Sequence, residues 1–184
     1  MIRTGDGGGY SGVGFQAKAI QKFQAMEDKE SAFLNHSWIF VWLTLNGKKE
    51  LFVLEAGYLP NYKLKAAVKL TPFRHYQNMD GKCYHFKRRS IEHPKLYLQA
   101  LAHYTGTPYD YLNLLRNQIW LKLTGLWVGL SKRPQRKLIC HEMTMTVENY
   151  YAELAGKPLP YKDAEKGKVK DIFSSPLYYD FTEI

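Results

Sequence analysis

Residues 36–56 read HSWIFVWLTLNGKKELFVLEA, and this stretch decides the fold. Residues 36–45 are β-branched and aromatic with almost no polar break, which is typical of a strand covered on both faces. The Asn46-Gly47 pair then predicts a two-residue hairpin turn, and 51–56 is the returning strand. The chain is therefore expected to contain an antiparallel sheet.

The length of this turn decides which side chains face each other across the hairpin. With a two-residue turn, Trp38 lies opposite Glu55. His36 is then on the same sheet face as Trp38 and is the diagonal neighbour of Glu55, at about 7 to 8 Å between α-carbons. Two long polar side chains can meet across that gap, so we expect His36 to contact Glu55. A four-residue loop would instead place Glu55 opposite Phe40.

The N-terminal segment reads MIRTGDGGGYSGVG, and its glycines are interpreted as a flexible segment rather than a phosphate-binding loop. A P-loop would end in Lys-Ser or Lys-Thr and would follow a strand, and this segment does neither. From Phe15 onward, apolar residues recur at helical spacing, which predicts a first helix over 15–26. Lys18, Gln21 and Lys22 would lie on its outward face.

Further along the chain, predicted strands give way to predicted helices. Two strands are predicted at 68–73 and 83–88, around the turn signal Asp80-Gly81. The helices predicted after them are 94–104, one broken or two short helices within 111–130, and 138–154, which follows a basic loop at 131–137. The tail ends in an aromatic cluster that would be costly to expose, so we expect it to dock back on the domain.

Length and composition favour one globular domain. The chain has 184 residues, of which 45% are hydrophobic, and we expect 1–184 to form a single domain on which 157–184 docks as a C-terminal tail. Its two cysteines are too few for a disulfide scaffold, which favours free thiols in a reducing compartment. The sequence shows no long apolar run and no apolar signal-peptide centre, which favours a cytoplasmic or virion-associated protein.

The formal net charge of +9 favours an acidic partner. Peptidoglycan, anionic lipid, nucleic acid and a virion interior all fit this charge. The basic runs at 87–89 and 132–137 are not interleaved with aromatic residues, as a base-stacking platform would be. Nucleic-acid binding as the main function is therefore disfavoured.

Three residues offer the chemistry of a thiol nucleophile. Cys140 begins an amphipathic helix, and a helix N-terminus beside an imidazole lowers the pKa of a thiol that is otherwise about a percent or a few ionised near neutrality. His36 is the candidate imidazole. Glu55 is the candidate that holds the ring in one tautomer, because a carboxylate within an apolar strand is costly to bury without a partner.

The second cysteine and the other histidines are weaker candidates. Cys83 and His85 share a strand face, and His75 could join them in a metal site, but their spacing is not the paired spacing of zinc sites. We therefore expect neither a metal nor an organic cofactor. Three histidines are interpreted as surface or helix-flank residues: His93, His103 and His141. Of these, His141 could tune the Cys140 thiol electrostatically.

Five short motifs occur in a fixed order along the chain. They are Gly5-Asp6, Asn35-His36-Ser37-Trp38-Ile39, Val53-Leu54-Glu55-Ala56, Gly106-Thr107-Pro108-Tyr109-Asp110 and Ile139-Cys140-His141-Glu142-Met143. This order and spacing resemble the circularly permuted papain-like cysteine hydrolases, specifically the YiiX-like branch related to NlpC-type peptidases and lecithin:retinol acyltransferase. The chain departs from that pattern where His141 follows the cysteine in place of a serine.

The resemblance implies an α+β fold of the permuted papain-like (NlpC-like) type, with an antiparallel sheet packed against helices. It implies Cys140 as the nucleophile, His36 as the base and Glu55 as the residue that orients the base. The substrate would be an amide or an ester, with cell-wall peptides first and lipid esters or amides second. Two alternatives stay open: a catalytically silent structural or virion-packaged protein of the same fold, and a lipid acyltransferase.

Overall fold

The computed structural model describes residues 1–25, 29, 32–57, 66–109, 138–164 and 169–184. In this part of the chain, six strands form one antiparallel sheet in the order β4-β3-β2-β1-β5-β6. The strands are β1 (Gly7–Gly12), β2 (His36–Leu45), β3 (Lys48–Gly57), β4 (Ala67–Pro72), β5 (Gly81–Arg88) and β6 (Tyr178–Glu183). The fold is thus of the mixed α and β class, with a wholly antiparallel sheet.

Five helices accompany the sheet in the described ranges. They are α1 (Phe15–Ala25), α2 (Arg74–Gln77), α3 (Pro94–Tyr104), α4 (Cys140–Leu154) and α5 (Val169–Phe173). None of the helices in these ranges combines the length and the apolar character that a membrane span requires. The helices predicted within 111–130 and the basic loop at 131–137 lie outside the described residues.

The predicted hairpin is confirmed, with its register. Asn46 and Gly47 have φ values of 50° and 76°, so both turn residues are left-handed, as a type I′ turn requires. Trp38 faces Glu55 across the β2–β3 ladder. The two-residue turn therefore fixes which polar side chains of the two strands come together.

The glycine-rich N-terminal segment is not a flexible segment, and that prediction is wrong. It forms β1, which lies inside the sheet between β2 and β5. A β-carbon on Gly8 would lie 2.3 Å from Trp38 Nε1 and 2.5 Å from a ring carbon of Phe40. Aromatic side chains of β2 thus pack directly against the backbone of β1 at Gly8. A residue with a side chain would not fit there.

The first helix has the predicted position, and Lys18 and Lys22 are exposed as predicted, but Phe15 and Gln21 do not lie where the pattern placed them. It ends at Ala25, and Phe15, expected on the inward face, is 89% exposed. Gln21, expected to face outward, donates from Nε2 to the Phe33 carbonyl at 2.8 Å. The Gln21 side chain therefore faces the protein through a hydrogen bond to the backbone. A pattern of hydrophobic residues does not predict a contact of this kind.

The two strands predicted around Asp80-Gly81 are both present, but they do not pair with each other. β4 pairs with β3, whereas β5 pairs with β1 on one side and with β6 on the other. The short helix α2 connects the two positions. The C-terminal residues add β6 to the sheet, and Tyr178 packs with Phe86, Met145 and Ile172.

Each face of the sheet carries its own core. On one face, α3 and α4 pack against Ile39, Val41, Leu54 and Ala56. On the other face, β-strand side chains pack with Phe73 and with α2; this cluster comprises Tyr10, Trp38, Phe40, Val53, Phe73, Tyr76 and Cys83. The sheet is therefore covered on both sides, as the unbroken apolar run of β2 predicted.

A buried ion pair joins the sheet to the helices. Arg88 of β5 donates from Nη2 to Glu148 of α4 at 2.7 Å, and both side chains are at most 4% exposed. The hydroxyl groups of Tyr97 and Tyr178 also donate to Glu148 Oε1, at 2.7 and 3.0 Å. One carboxylate thus links β5, α3, α4 and β6.

Candidate functional site

Cys140 is the first residue of α4. The chain enters the helix from Ile139, whose backbone N–H donates to the carboxylate of Glu142 at 3.2 Å. This contact satisfies one of the N–H groups that a helix start leaves without an intrahelical partner. Cys140 is 9% exposed, so the residue is almost completely buried.

His36 begins β2, and its imidazole contacts Glu55. His36 donates from Nε2 to Glu55 Oε2 at 2.5 Å. The Glu55 side chain is 1% exposed and that of His36 is 16% exposed. The structure therefore has the contact that the hairpin register predicted.

Two further residues hold Glu55, and neither was predicted. Thr71 of β4 donates from its hydroxyl to Glu55 Oε1, and Tyr76 of α2 donates from its hydroxyl to Glu55 Oε2. Burial raises the pKa of the carboxyl, but the hydrogen bonds from His36, Thr71 and Tyr76 lower it more, so it ends below its usual range. Glu55 is therefore an ionised, immobilised acceptor for the imidazole.

The imidazole of His36 also interacts with the Cys140 sulfur. Burial opposes a charge on the ring, yet the hydrogen bonds with Cys140 and Glu55 raise the pKa of His36 to about 10. Burial likewise opposes a charge on the thiol, but hydrogen bonds from His141 and His36 hold the pKa of Cys140 well below its ordinary value.

The directions of these pKa shifts favour a thiolate at Cys140, an imidazolium at His36 and a carboxylate at Glu55. No protein-family model matches the chain, and no curated protein matches it. The chemistry of the site is therefore argued from its own side chains. In that order the three groups can form a nucleophile, move a proton and fix the orientation of the ring that moves it.

His141 is not a surface or helix-flank residue, and that prediction is wrong. It is 5% exposed, and its Nδ1 lies 4.0 Å from the Cys140 sulfur. It occupies the first turn of α4, where the helix meets the core. The sequence carries a signal for this position, since His141 follows the cysteine directly, but not for its burial. His93 and His103 are exposed, as predicted.

Aromatic rings surround the imidazole of His36. The Tyr76 ring stacks on it at 5.9 Å between centroids, with 25° between the planes. The Trp38 ring meets its edge at 5.9 Å, and Trp38 contacts Tyr76 at 4.5 Å. Tyr76 thus both stacks on the ring of His36 and binds the carboxylate that orients it.

The second cysteine, Cys83, packs in the same cluster as Trp38 and Tyr76, but its thiol has a different environment from that of Cys140. Burial raises the pKa of Cys83 to about 11, so this thiol is neutral near physiological pH. His85, its neighbour on the strand face, contacts Asp6 through Nε2 at 2.8 Å. In the described part of the chain, no three His, Cys, Asp or Glu side chains are grouped closely enough to hold a metal ion.

Proposed function

We propose that the protein is a cysteine hydrolase of the permuted papain-like type, which cleaves an amide or ester bond. The observation that carries this proposal is the continuous arrangement of Glu55, His36 and Cys140, in which each group alters the charge state of the next. The order of the motifs along the chain and the antiparallel sheet packed on helices support the fold assignment. In this arrangement the base comes early in the chain and the nucleophile late.

The first half of the reaction forms an acyl-enzyme. The Cys140 thiolate attacks the carbonyl carbon of the substrate, and the electron pair of the C=O bond moves to its oxygen. Backbone N–H groups at the start of α4 are suited to hold that oxyanion, because a helix N-terminus presents unpaired donors. As the tetrahedral species collapses, the amine or alcohol leaves with the proton that the His36 imidazolium supplies.

The second half of the reaction releases the acyl group to water. His36, now neutral, removes a proton from a water molecule, and the resulting hydroxide attacks the thioester carbonyl. The C–S bond breaks, the carboxylic acid departs and Cys140 returns as the thiolate beside protonated His36. Glu55 accepts from the ring throughout and keeps the same tautomer facing the sulfur.

The substrate assignment follows from the family resemblance and the charge. Peptide crosslinks of the cell wall are the first proposal, and lipid esters or amides are the second. The net charge of +9 is compatible with both, because peptidoglycan and anionic lipid surfaces are acidic.

The experiment that tests this function is a hydrolysis assay of the wild-type protein on three substrate classes. We expect release of a carboxylate product from peptidoglycan fragments, acyl esters or acyl amides, with no added metal. Cys140→Ser, prepared in parallel and checked for folding, is the matched control for contaminating hydrolases. Absence of turnover on all three classes, with the wild-type protein folded, would contradict the proposal and favour the structural alternative. Product formation that requires an added alcohol or amine acceptor would point to the acyltransferase.

A labelling experiment tests the state of the nucleophile without any substrate. Cys140 and Cys83 are similarly buried, at 9% and 6% exposed, so differences in access are small and differences in ionisation dominate. We expect iodoacetamide to alkylate Cys140 far faster than Cys83 at pH near 7. Above its lowered pKa the Cys140 rate should change little with pH, because the thiol is already ionised there.

The sign of the pH dependence separates the two thiols. The Cys140 rate should fall as the pH drops through its lowered pKa, whereas the Cys83 rate should rise throughout the neutral range toward its pKa of about 11. Mass spectrometry of the two tryptic peptides measures both rates in one sample, and Cys83→Ser serves as the matched control. Equal rates with a common midpoint near the free-thiol value of about 8.5 would rule out an activated Cys140.

A further inference from the structure

The sulfur of Cys140 has two imidazole neighbours, not one. His36 reaches it from β2, and His141 reaches it from the adjacent position of α4, with Nδ1 4.0 Å from the sulfur. His141 follows Cys140 directly in the first turn of the helix, so the same backbone segment carries both side chains. The resemblance pattern has a serine at this position, so the second imidazole is a property of this chain.

Titratable groups from two helices, α4 and α5, act on His141. His141 interacts with Cys140 and Glu142 of its own helix and with Asp171 of α5. Burial opposes a charge on its ring, but the bond to Cys140 and the two carboxylates raise the pKa of His141 above its usual value. Both carboxylates therefore favour a positive ring beside the sulfur.

The other groups facing the sulfur belong to β2 and α2. His36 is compensated by Glu55, with which it forms a hydrogen bond. Burial and the charge of Glu55 raise the pKa of Tyr76 well above its usual value, so this hydroxyl is neutral and contributes no charge of its own. Carboxylates thus favour the positive charge on each imidazole: Glu55 acts on His36, and Glu142 and Asp171 act on His141.

We propose that His141 is a positioning residue that holds Cys140 in the thiolate form independently of His36. The two histidines would then divide the work: His141 keeps the negative charge on the sulfur, and His36 carries protons to and from the reacting groups. The proposal rests on the proposed function only for its catalytic consequence, since the charge on the sulfur exists without a substrate. That consequence concerns deacylation, where a sulfur that is stable as a thiolate is the better leaving group.

The test measures the pH dependence of Cys140 alkylation by iodoacetamide in a Cys83→Ser background. The variants are His141→Gln, His36→Ala and the double variant, with His103→Gln on the exposed face of α3 as the matched control. We expect His141→Gln to raise the thiol pKa by about one unit, so that at a pH below that pKa the labelling rate falls about tenfold relative to the parent protein. His36→Ala should still label with a midpoint below the free-thiol value of about 8.5, and the double variant should not.

Two results would overturn the proposal. One is a His141→Gln profile that matches the wild type and the His103→Gln control. The other is a His36→Ala variant whose thiol already titrates at the free value while His141 is present. Thermal unfolding checks each variant, and His141→Asn replaces the glutamine variant if that one does not fold. Loss of all hydrolysis with the labelling pattern intact would contradict the proposed hydrolase function and leave the role of His141 standing.

Discussion

His36→Ala should lower the rate of hydrolysis by a factor on the order of 100 or more, because it removes the group that carries the proton. Cys140→Ser should lower the rate further, since a hydroxyl in this environment stays protonated. Glu55→Gln should give a milder loss, because the amide still accepts a hydrogen bond from the ring but stabilises imidazolium poorly. The measurement is the initial rate of carboxylate release on whichever substrate class the wild-type protein cleaves.

The stability of these variants should change much less than their rates. In His36→Ala, Thr71 and Tyr76 still donate to the Glu55 carboxylate, so that charge keeps two of its partners. The exposed His103 offers a matched control, and His103→Ala should retain the full rate. A His36→Ala variant that is folded and hydrolyses as fast as the wild type would remove His36 from the mechanism.

Arg88→Met should lower the free energy of unfolding by about 3–5 kcal/mol, because it leaves the Glu148 carboxylate buried without its cation. Tyr97 and Tyr178 would still donate to that carboxylate, but hydroxyl groups do not neutralise a charge. Glu148→Leu should cost a similar amount by stranding the guanidinium. The double variant should recover much of the loss, since both charges are then gone. Urea unfolding of the four proteins measures each value.

A surface ion pair provides the comparison. Lys157 and Glu92 also form a close ion pair, but their side chains are 35% and 59% exposed, so Glu92→Gln should change the free energy of unfolding by at most about 1 kcal/mol. If Arg88→Met costs no more than Glu92→Gln, then water reaches the Glu148 carboxylate and the ion pair does not hold the helices to the sheet.

The part of the site that could be predicted from the sequence is the part built by local rules. An Asn-Gly turn fixes the hairpin register, and the register brings His36 to Glu55. The helical pattern over 138–154 predicted α4, which begins two residues later at Cys140. Both inferences use residues close together in the chain, where turn type and periodicity limit the alternatives.

The part that escaped prediction depends on residues far apart in the chain. Thr71 and Tyr76 bind Glu55 because β4 lies beside β3 and the short helix α2 follows it, and a four-residue helix leaves no periodic signal. His141 is buried because of where α4 packs, not because of its neighbours in sequence. The glycines of β1 were interpreted as flexibility because their tight packing against Trp38 and Phe40 becomes visible only in the folded sheet.

The separation between base and nucleophile has a consequence for the protein during its synthesis. The hairpin that carries His36 and Glu55 is local, so it can form while the rest of the chain is still being made. Cys140 arrives much later, and its sulfur meets the His36 imidazole only after α4 docks on the sheet. In the nascent chain it is an ordinary thiol, weakly nucleophilic and mostly protonated. The Cys140 thiol thus becomes a strong nucleophile only in the folded protein. Because Cys140 follows His36 and Glu55 in the chain, the nascent chain carries no activated thiol.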